Sequence, residues 1–392
     1  MKYVFISPGA PTKVGKGYQK ILHERFINLE SGSRVLLIIC YPFFGAVPVL
    51  DDVGGQYDHL DLEVLIVRPS IFDFFAVPLR ILLGYPIQVI LHQRFSIDRL
   101  LADISHSSPG AKIYCLMSRT FHKNVSLFER TLLDFVDSME LNFKRRSAQE
   151  TNYFKSKVFE IEAVRMKKWD KKCLSMVREA IVVSQLDAQH ISPERIRVVP
   201  IGIDKYEGEI LSLARRNGNI VFSGNMNYWP NLEAVQFFIE ECWPKIKHVN
   251  KNVEFHIVGR GLSEQLAACF SKVARVKCIG EVDDMQATLA KYPISIAPMQ
   301  SGSGMQFKII EALSVGCMVI SSELAASSLQ YKDDSVLCVV QKPGDYAEKA
   351  LEILRNFELR ENIALKAANF ASINFGWWSA QNVLSDLMWY KE

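Results

Sequence analysis

The sequence lacks the clustered cysteines that zinc sites and disulfide frameworks require. It contains eight cysteines, but no two of them form a C-x-x-C pair, and most lie inside apolar runs, as Cys40 does in residues 35–40. Metal sites and disulfide-rich folds space their cysteines closely and regularly. The pattern therefore favours reduced, buried thiols in a cytoplasmic protein, and we expect no metal site.

Long apolar runs and a strong charge of one sign are also missing. The longest uncharged apolar run, residues 81–91, is shorter than the roughly 20 residues of a membrane-spanning helix. Only Lys2 and the residues YVFI precede the first polar loop, which is too little for the apolar core of a signal peptide. The 46 basic and 43 acidic side chains leave a net charge of +3, so we expect no nucleic-acid partner.

What the sequence does contain is an alternation of short β-branched runs and longer helical patterns. This alternation is typical of doubly wound parallel sheets covered by helices, and it occurs twice. Pro200 and the glycines that follow it interrupt the rhythm and indicate a linker. We therefore predict an α/β protein with two Rossmann-like domains, residues 1–200 and 219–374, a linker at 201–218 and a final segment at 375–392.

The apolar periodicity also places the individual elements. The predicted strands are residues 3–7, 35–40, 64–67, 112–116, 132–136, 180–183, 196–199, 220–223, 254–258, 275–279, 294–297, 318–321 and 336–340. The predicted helices are residues 17–30, 71–83, 94–104, 145–178, 231–247, 263–271, 284–290, 305–315, 344–356, 358–371 and 377–390. Ligands of such sheets bind beyond the carboxyl ends of the strands, so the loops after the strands are the places to search.

The most informative of these loops follows the predicted strand at 294–297. It reads Ser-Gly-Ser-Gly, and a helix is predicted to begin near Met305. Backbone N–H groups of such a turn and of a helix N-terminus bind phosphate. Lys308, one turn into the helix, would neutralise that phosphate. The residues assigned to the phosphate are Gly302, Ser303, Gly304, Met305 and Lys308.

Glu311 lies three residues after Lys308, so both side chains share one helical face. Its carboxylate would accept hydrogen bonds from a vicinal diol such as a ribose. A nucleotide presents a phosphate and a diol at about that separation. The alternative is an ordinary surface ion pair between the two side chains, which would leave the glycine-rich turn unexplained.

Two other glycine-bearing loops are weaker candidates. The loop after the first strand carries Gly15 and Gly17 ahead of a helix, which also suits an anion, but its spacing is not the G-x-G-x-x-G of dinucleotide-binding proteins. Gly224 follows the strand at 220–223, and Asn231 is predicted as the N-cap of the next helix. In both loops the alternative is a simple turn between a strand and a helix.

Polar side chains also follow strands in the first half. Asp137 comes directly after the predicted strand at 132–136, where groups that bind or activate hydroxyls tend to lie. Arg119 and His122 follow the strand at 112–116. Each of these three side chains taken alone is more often structural than catalytic.

Two surface features leave membrane contact open as an alternative. Residues 144–172 hold ten basic and four acidic side chains, which indicates a solvated helix face or a surface that binds anionic lipid or a phosphorylated acceptor. Residues 71–91 are mostly apolar, and we favour core packing over contact with a membrane for them.

Several segments together resemble the carboxyl-terminal domain of retaining glycosyltransferases of family four. They are residues 222–238, 256–261, 279–285 and 296–322, in the family's order and spacing, and residues 198–204 look like its domain junction. Residues 15–17, 116–120 and 132–146 resemble a subgroup found in bacterial surface-polysaccharide clusters. The resemblance implies the GT-B fold, with two Rossmann-like domains facing a cleft. It also implies a nucleotide-sugar donor, no metal, and a last helix that crosses back to the first domain.

The sequence departs from the family pattern at three places. Many members have a glutamate where this chain has Ser303, and Glu311 matches the second glutamate of that pattern, which binds the ribose. Many members also carry basic residues after the strand that precedes Gly224, where this chain has none. Asp137 occupies roughly the place of a histidine that many members have in the first domain.

On this resemblance we expect a retaining, metal-independent glycosyltransferase of the hexosyltransferase type. It would move a sugar from a nucleotide-diphosphate sugar to a glycan or lipid-linked acceptor in bacterial cell-surface polysaccharide biosynthesis. Lys308 and Asp137 are the expected catalytic residues, no bound cofactor is expected, and the expected location is the cytoplasm or the cytoplasmic face of the membrane. A dehydrogenase, a sugar-nucleotide epimerase and a non-catalytic scaffold are the competing interpretations.

Overall fold

The computed structural model describes residues 1–12, 17–43, 55–208, 218–302, 305–327, 329 and 335–387, with the backbone alone at 149, 357–361 and 386. The chain divides into two compact units. One consists of Met1–Ile201 together with the segment from Gln381 onward, and the other of Gly202–Ala380. Within the described residues, no helix combines the length and the apolar character needed to span a membrane.

The first unit is built on a parallel sheet of seven strands in the order β3-β2-β1-β4-β5-β6-β7. Nearly every residue of the central strands is buried, as expected for a sheet covered on both faces. The strands are β1 Tyr3–Ser7, β2 Arg34–Cys40, β3 Asp61–Val67, β4 Lys112–Leu116, β5 Arg130–Asp134, β6 Glu179–Val182 and β7 Arg197–Val198. The helices are α1 Gly17–Ile27, α2 Ile71–Leu82, α3 Ile87–Ile90, α4 Phe95–Ser107, α5 Met139–Gln149, α6 Tyr153–Ser175 and α7 Gln185–Ile191.

The second unit repeats this plan with six parallel strands in the order β10-β9-β8-β11-β12-β13. The strands are β8 Ile220–Ser223, β9 Phe255–Val258, β10 Val276–Gly280, β11 Ile294–Ala297, β12 Met318–Ser322 and β13 Leu337–Val340. The helices are α8 Trp229–Phe237, α9 Trp243–Val249, α10 Glu264–Ser271, α11 Met285–Leu289, α12 Phe307–Ser314, α13 Glu323–Ala326, α14 Pro343–Arg355, α15 Phe357–Phe375 and α16 Trp377–Asp386. A π-helical turn, Phe238–Cys242, joins α8 to α9.

Two of the predicted helices are wrong in extent. The single helix expected at 145–178 is two helices, α5 and α6, which pack against each other through Phe143 and Phe159. Asn152 separates them, because its side-chain oxygen accepts a hydrogen bond from the backbone N–H of Lys155 at 3.1 Å and caps the second helix. The helix expected at 231–247 begins earlier, at Trp229, and passes through the π-helical turn.

The expectation that residues 71–91 pack in the core is wrong for α2. Asp73 is the only residue of this helix that is buried, and Phe72 and Phe75 are each more than 70% exposed. The segment after α2 does return to the protein, since Val89 and Ile90 of α3 are buried. The apolar composition of α2 therefore serves a surface and not the interior.

The last helix joins the first unit, as the resemblance implies. Gln381 lies in α16, and its side-chain Nε2 donates a hydrogen bond to Oδ1 of Asn28, which follows α1, at 2.8 Å. From Gln381 onward the chain belongs to the first unit, whereas the start of α16, Trp377–Ala380, belongs to the second. One helix is thus shared by both units.

Candidate active site

The floor of the site in the second unit is made of backbone from the loops after β8 and β9. The N–H of Gly224 donates to the carbonyl of Val258 at 3.0 Å, and the N–H of Met226 donates to that of Arg260 at 2.8 Å. A Cβ atom on Gly259, whose φ is +133°, would lie 1.9 Å from the carbonyl oxygen of Gly224. Two loops can approach this closely only where a glycine removes the side chain.

Lys308 is partly buried near this floor, on α12. Its Nζ donates a hydrogen bond to Oδ1 of Asn231 and lies 3.4 Å from Sδ of Met299. The same ammonium is 4.4 Å from the centre of the Phe222 ring, within the range of a cation–π interaction. One amide oxygen, a thioether and an aromatic face thus surround a group that water normally solvates.

These surroundings lower the pKa of Lys308 to about 7, because burial disfavours the ammonium form, while the charge of Glu311 acts in the opposite direction. Near neutral pH the side chain therefore exists in both protonation states. An anion bound beside it would stabilise the ammonium form and raise its pKa again. The site is suited to a ligand that brings concentrated negative charge.

Asn231 is not the N-cap that the sequence predicts. Helix α8 begins two residues earlier, with Pro230 in its first turn, so Asn231 lies inside the helix. Its Nδ2 donates to the carbonyl of Asn225 at 2.9 Å, and its Oδ1 accepts from Lys308. The residue positions the lysine, and a Cβ atom on Gly224 would lie 2.8 Å from its Nδ2.

The turn before α12 differs from its prediction in one respect. The helix begins at Phe307, so Met305 precedes it and Lys308 is its second residue. Gly302 has a φ of +108°, and a Cβ atom there would lie 3.3 Å from the Tyr228 hydroxyl. Ser303 and Gly304 lie outside the described residues. The described part of the turn therefore lies against the start of α8, close to the residues that hold Lys308.

Glu311 lies on the same helix as Lys308, and its negative charge raises the pKa of the lysine. It is partly buried. The hydroxyl of Ser314 donates to its backbone carbonyl at 2.8 Å. Its assignment to a ribose stays a prediction.

A second group of polar side chains lies in the first unit, beyond the ends of β4 and β5. Asp137 Oδ2 accepts a hydrogen bond from Nδ2 of Asn142 at 2.9 Å, whereas its Oδ1 is buried and makes no hydrogen bond within the described structure. Burial and, less strongly, the charge of Asp187 raise the pKa of Asp137 to about 6, against the lowering effects of Asn142 and Arg119. The carboxylate therefore combines one buried oxygen that lacks a hydrogen bond with an ionisation close to neutral pH.

Arg119, which the sequence predicts only as a polar residue after a neighbouring strand, belongs to the same group. Burial lowers its pKa, and the charges of Tyr18 and Asp137 partly offset this. Its Nη1 donates to Oε1 of Gln88 at 3.4 Å and its Nη2 to Sδ of Met117 at 3.0 Å, whereas its Nε is buried without a hydrogen bond in the described part of the chain. A guanidinium so incompletely satisfied is suited to bind an anionic or hydroxyl-rich ligand.

The backbone is strained where these side chains leave the sheet. Met117 has a φ of +70° and Val136 a φ of +64°, one residue past β4 and two residues past β5 respectively. Residues other than glycine rarely adopt this backbone conformation, and such strain is concentrated at functional sites. Arg119 and Asp137 follow these two strained residues, beyond the ends of neighbouring strands of one sheet.

The remaining candidates of the first unit are His122, Gly15 and Gly17. Both ring nitrogens of His122 are occupied, by the Thr120 carbonyl at 2.8 Å and the Arg94 N–H at 3.1 Å, and burial lowers its pKa to about 4. It is a neutral structural histidine. Gly17 is exposed at the start of α1, and Gly15 lies outside the described residues.

The structure thus groups the candidates by unit. Gly224, Gly302, Met305, Lys308 and Glu311 belong to the second unit, and Gly17 and Asp137 belong to the first. The sequence predicts Asn231 as an N-cap and Arg119 as a polar residue after a strand, and it places neither of them in the binding or catalytic set. Their roles come from contacts between distant segments, which no local spacing reports.

Comparison with known sequences finds a family match within the second unit. Residues 217–356 match the profile of a family described as Glycosyl transferases group 1. A phosphatidyl-myo-inositol mannosyltransferase of Mycobacterium leprae is 30% identical over 134 residues, which are 33% of this chain and 36% of that protein. The chain aligns with less than half the length of the curated relatives it matches.

Comparison with solved structures covers nearly the whole chain. Alr3699/HepE from Anabaena, crystallised with UDP, superimposes with a TM-score of 0.66 at 14% identity over 99% of this chain and 100% of that one. WaaG, a glycosyltransferase involved in lipopolysaccharide biosynthesis, gives a TM-score of 0.63 at 11% identity over 98% and 99%. At these identities the likeness shows the fold alone. The expected fold class, the GT-B fold with two Rossmann-like units, is confirmed.

Proposed function

We propose that this protein is a retaining glycosyltransferase that moves a sugar from a nucleotide-diphosphate sugar to an acceptor hydroxyl. The observation that carries the proposal is Lys308, a partly buried amine with a pKa near 7, held by Asn231 beside the carboxyl end of β8. It lies within the segment that matches the Glycosyl transferases group 1 profile. A diphosphate is the kind of ligand that such an amine favours.

Lys308 acts on the leaving diphosphate in this proposal. When the bond between the sugar carbon and the phosphate oxygen breaks, negative charge grows on the phosphate, and fixed donors aimed at that charge lower the barrier. Lys308 supplies an ammonium, and Gly302, Ser303, Gly304 and Met305 supply the glycine-rich turn at the diphosphate. No metal takes part in this arrangement.

The rest of the donor is assigned to the loops around Lys308. Glu311 accepts hydrogen bonds from the ribose hydroxyls, and Gly224 leaves room for the donor beside the backbone floor. The loop with Gly15 and Gly17, which precedes α1, contributes N–H groups to the phosphates. HepE, crystallised with UDP and with UDP-glucose, supports a UDP-type donor. A GDP-type donor is the alternative that the thermal-shift panel tests.

Asp137 acts on the acceptor. Its Oδ1, which is buried and makes no hydrogen bond within the described residues, accepts one from the acceptor hydroxyl once the acceptor is bound, and this orients that hydroxyl toward the sugar carbon. The acceptor oxygen forms the new glycosidic bond on the face that the leaving phosphate occupied, and the leaving phosphate takes the acceptor's proton. Asp137 therefore orients a hydroxyl and does not need to remove its proton.

The acceptor is proposed to be a glycan or a lipid-linked saccharide, and the pathway to be the synthesis of bacterial cell-surface polysaccharide in the cytoplasm. WaaG, a structural neighbour with the same fold, is a glycosyltransferase involved in lipopolysaccharide biosynthesis, which supports this assignment. The partly satisfied guanidinium of Arg119 beside Asp137 is suited to the hydroxyl or phosphate groups of such an acceptor.

A thermal-shift panel tests the donor assignment. The purified protein is mixed with UDP, GDP, ADP, their sugar conjugates or NAD at about a hundredfold excess over the dissociation constant, which stabilises a folded protein by about 2.7 kcal/mol. We expect a shift with one nucleoside diphosphate, a smaller one in Glu311→Gln, and the full shift in Glu352→Gln, which replaces an exposed glutamate of α14.

Other outcomes select among the alternatives. No shift with any nucleotide would refute the donor site, and a shift with NAD alone would indicate a dehydrogenase. Isomerisation of the bound sugar nucleotide without an acceptor would indicate an epimerase. The anomeric configuration of the product, read from its NMR coupling constant, tests retention.

A further inference from the structure

Helix α2 presents its large apolar side chains to the outside and turns its two charged side chains, Asp73 and Arg80, toward the protein. Positions 73, 76, 77 and 80 form one helical face, and these are the positions that are buried or partly buried. Apart from Pro78, the other positions carry large apolar side chains. Those of the helix and its C-cap are between 42% and 84% exposed: Ile71, Phe72, Phe74, Phe75, Leu79, Ile81, Leu82 and Leu83.

Polar contacts hold this inner face in place. The Asp73 carboxylate accepts hydrogen bonds from the backbone N–H of Ser70 at 2.8 Å and from that of Phe95 at 3.0 Å. Arg80 donates to the carbonyl of Gln93 at 3.3 Å, and its guanidinium lies 4.8 Å from the Phe95 ring centre. The helix is thus held by the polar contacts of its inner face, and its outer apolar side chains are exposed. Contiguous exposed apolar patches of this kind mark binding surfaces.

A lysine-rich helix adjoins this apolar patch. The loop after α2 packs on α6, where Glu162 accepts a hydrogen bond from the Ile87 N–H at 2.7 Å and the rings of Tyr85 and Trp169 are 5.3 Å apart. Helix α6 contains seven basic and three acidic residues, and two of the acidic ones, Glu162 and Asp170, are buried.

The outer face of α6 mixes apolar and positive side chains. Within the described chain, Lys168 and Lys171 have no carboxylate within ion-pair distance, and the one exposed acid of the helix, Glu160, is paired with Lys157. The exposed side chains that share this outer face are Phe154, Lys157, Val158, Ile161, Val164, Lys168 and Lys171. Lysines between apolar side chains can extend their amines to lipid phosphates while their stems lie among the acyl chains.

We propose that α2 and the outer face of α6, together called the α2–α6 surface, bind this protein peripherally to an anionic lipid bilayer. The apolar face of α2 would enter the boundary between headgroups and acyl chains, and the lysines of α6 would meet the negative headgroups. A second copy of the chain fits less well. A two-fold interface on this surface would bring the positive charges of both copies into one contact.

Vesicle flotation tests this proposal without nucleotide, acceptor or catalysis. We expect the full-length protein to float with vesicles of equal parts phosphatidylglycerol and phosphatidylcholine, to bind pure phosphatidylcholine vesicles at least about tenfold more weakly, and to dissociate as salt is raised. Phe72→Ser with Phe75→Ser should weaken binding about 100-fold, because two phenylalanines no longer leave water. Lys168→Gln with Lys171→Gln should weaken binding to anionic vesicles about 30-fold.

Control variants change exposed apolar or lysine side chains elsewhere. Leu365→Ser with Ile373→Ser replaces two side chains of α15 that are about as exposed, and Lys251→Gln with Lys272→Gln replaces two exposed lysines of the second unit. Both controls should float like the wild type. Circular dichroism and nucleotide binding should be unchanged in all variants, so a failure of the donor assignment and a failure of this proposal are separate results.

Three results would overturn the proposal. They are wild-type protein that does not float with anionic vesicles, equal binding to neutral vesicles, and undiminished binding of the phenylalanine variant. A wild-type dimer in light scattering that this variant converts to a monomer would assign the apolar face to a second copy instead.

Discussion

Lys308 is expected to make donor affinity and protein stability change in opposite directions between about pH 7 and pH 10. Its ammonium is the form that binds a diphosphate, and its pKa in the folded, unliganded protein is about 7. Raising the pH therefore removes the charge that the donor needs. We expect the dissociation constant of the nucleoside diphosphate to rise as pH increases above 7.

The size of this effect follows from the pKa. The apparent affinity scales with the protonated fraction of Lys308, and this fraction falls about eightfold between pH 7.5 and 8.5. The nucleotide's own phosphates are fully ionised across this range, so they do not add to the slope. The rise levels off above the pKa of Lys308 in the complex, which the bound anion raises.

The stability of the unliganded protein changes with pH in the opposite direction to its affinity for the donor. The unfolded chain keeps the ordinary lysine pKa, which lies above the folded value, so between the two pKa values the unfolded state binds more protons than the folded state. The free energy of unfolding of the unliganded protein should therefore rise with pH across this window. Below pH 7 both states are protonated, and this contribution from Lys308 is constant.

The variant Lys308→Met separates this residue from every other titrating group. It keeps most of the volume of the side chain and removes the charge. We expect it to lower kcat by about 10²–10³, as loss of one preorganised donor does in other enzymes. Calorimetry with the nucleotide and urea unfolding at several pH values should both lose the pH dependence described above, whereas Lys251→Met, at an exposed lysine, should retain it.

Two results would refute this reasoning. The first is a variant whose affinity depends on pH with the same slope as the wild type. The second is a variant whose activity lies within about threefold of wild type. Either would remove Lys308 from the leaving-group site.

Three further predictions concern its neighbours and the first unit. Glu311→Gln should weaken nucleotide binding by about tenfold with little change in kcat, because a hydrogen bond to a charged acceptor contributes about 1.5–3 kcal/mol; calorimetry that shows full affinity contradicts its role at the ribose. Asn231→Leu should lower activity by displacing the Lys308 amine; kinetics unchanged at pH 7 and at pH 8 would oppose this. Asp137→Asn should lower kcat about 100-fold and stabilise the protein at pH 8, because the folded-state pKa near 6 exceeds the unfolded value, so ionised Asp137 destabilises the fold above that pH. A variant that loses stability there would be inconsistent with a buried, destabilised carboxylate.

The strands could be predicted well from the sequence because their physical signal is local. Four of them, including β1 and β8, begin and end at the predicted residues, and both are buried along their whole length. A strand covered on both faces must be apolar throughout, which is easy to recognise in a sequence.

The errors arose where distant contacts decide the outcome. Nothing near Asn231 in the sequence indicates that its amide oxygen meets Lys308, 77 residues away. The exposure of α2 cannot be predicted from its sequence either, because an apolar helix can pack in a core or lie on a surface. The contacts of Asp73 distinguish the two cases. Asn152 caps the second of the two helices that replace the one predicted at 145–178. An asparagine at this position is a helix-start signal, but the helical periodicity on both sides of it favours one continuous helix.

The helix shared by the two units constrains how this protein can be recombined with a relative. Residues up to Ile201 and the segment from Gln381 onward belong to one unit, and Gln381 is bonded to Asn28. A chimera with a single crossover at the linker would combine the first unit of one parent with the tail of the other. A chimera should retain function more often when the segment from Gln381 onward comes from the same parent as the first unit. The coding sequence of that unit is therefore split between the two ends of the gene.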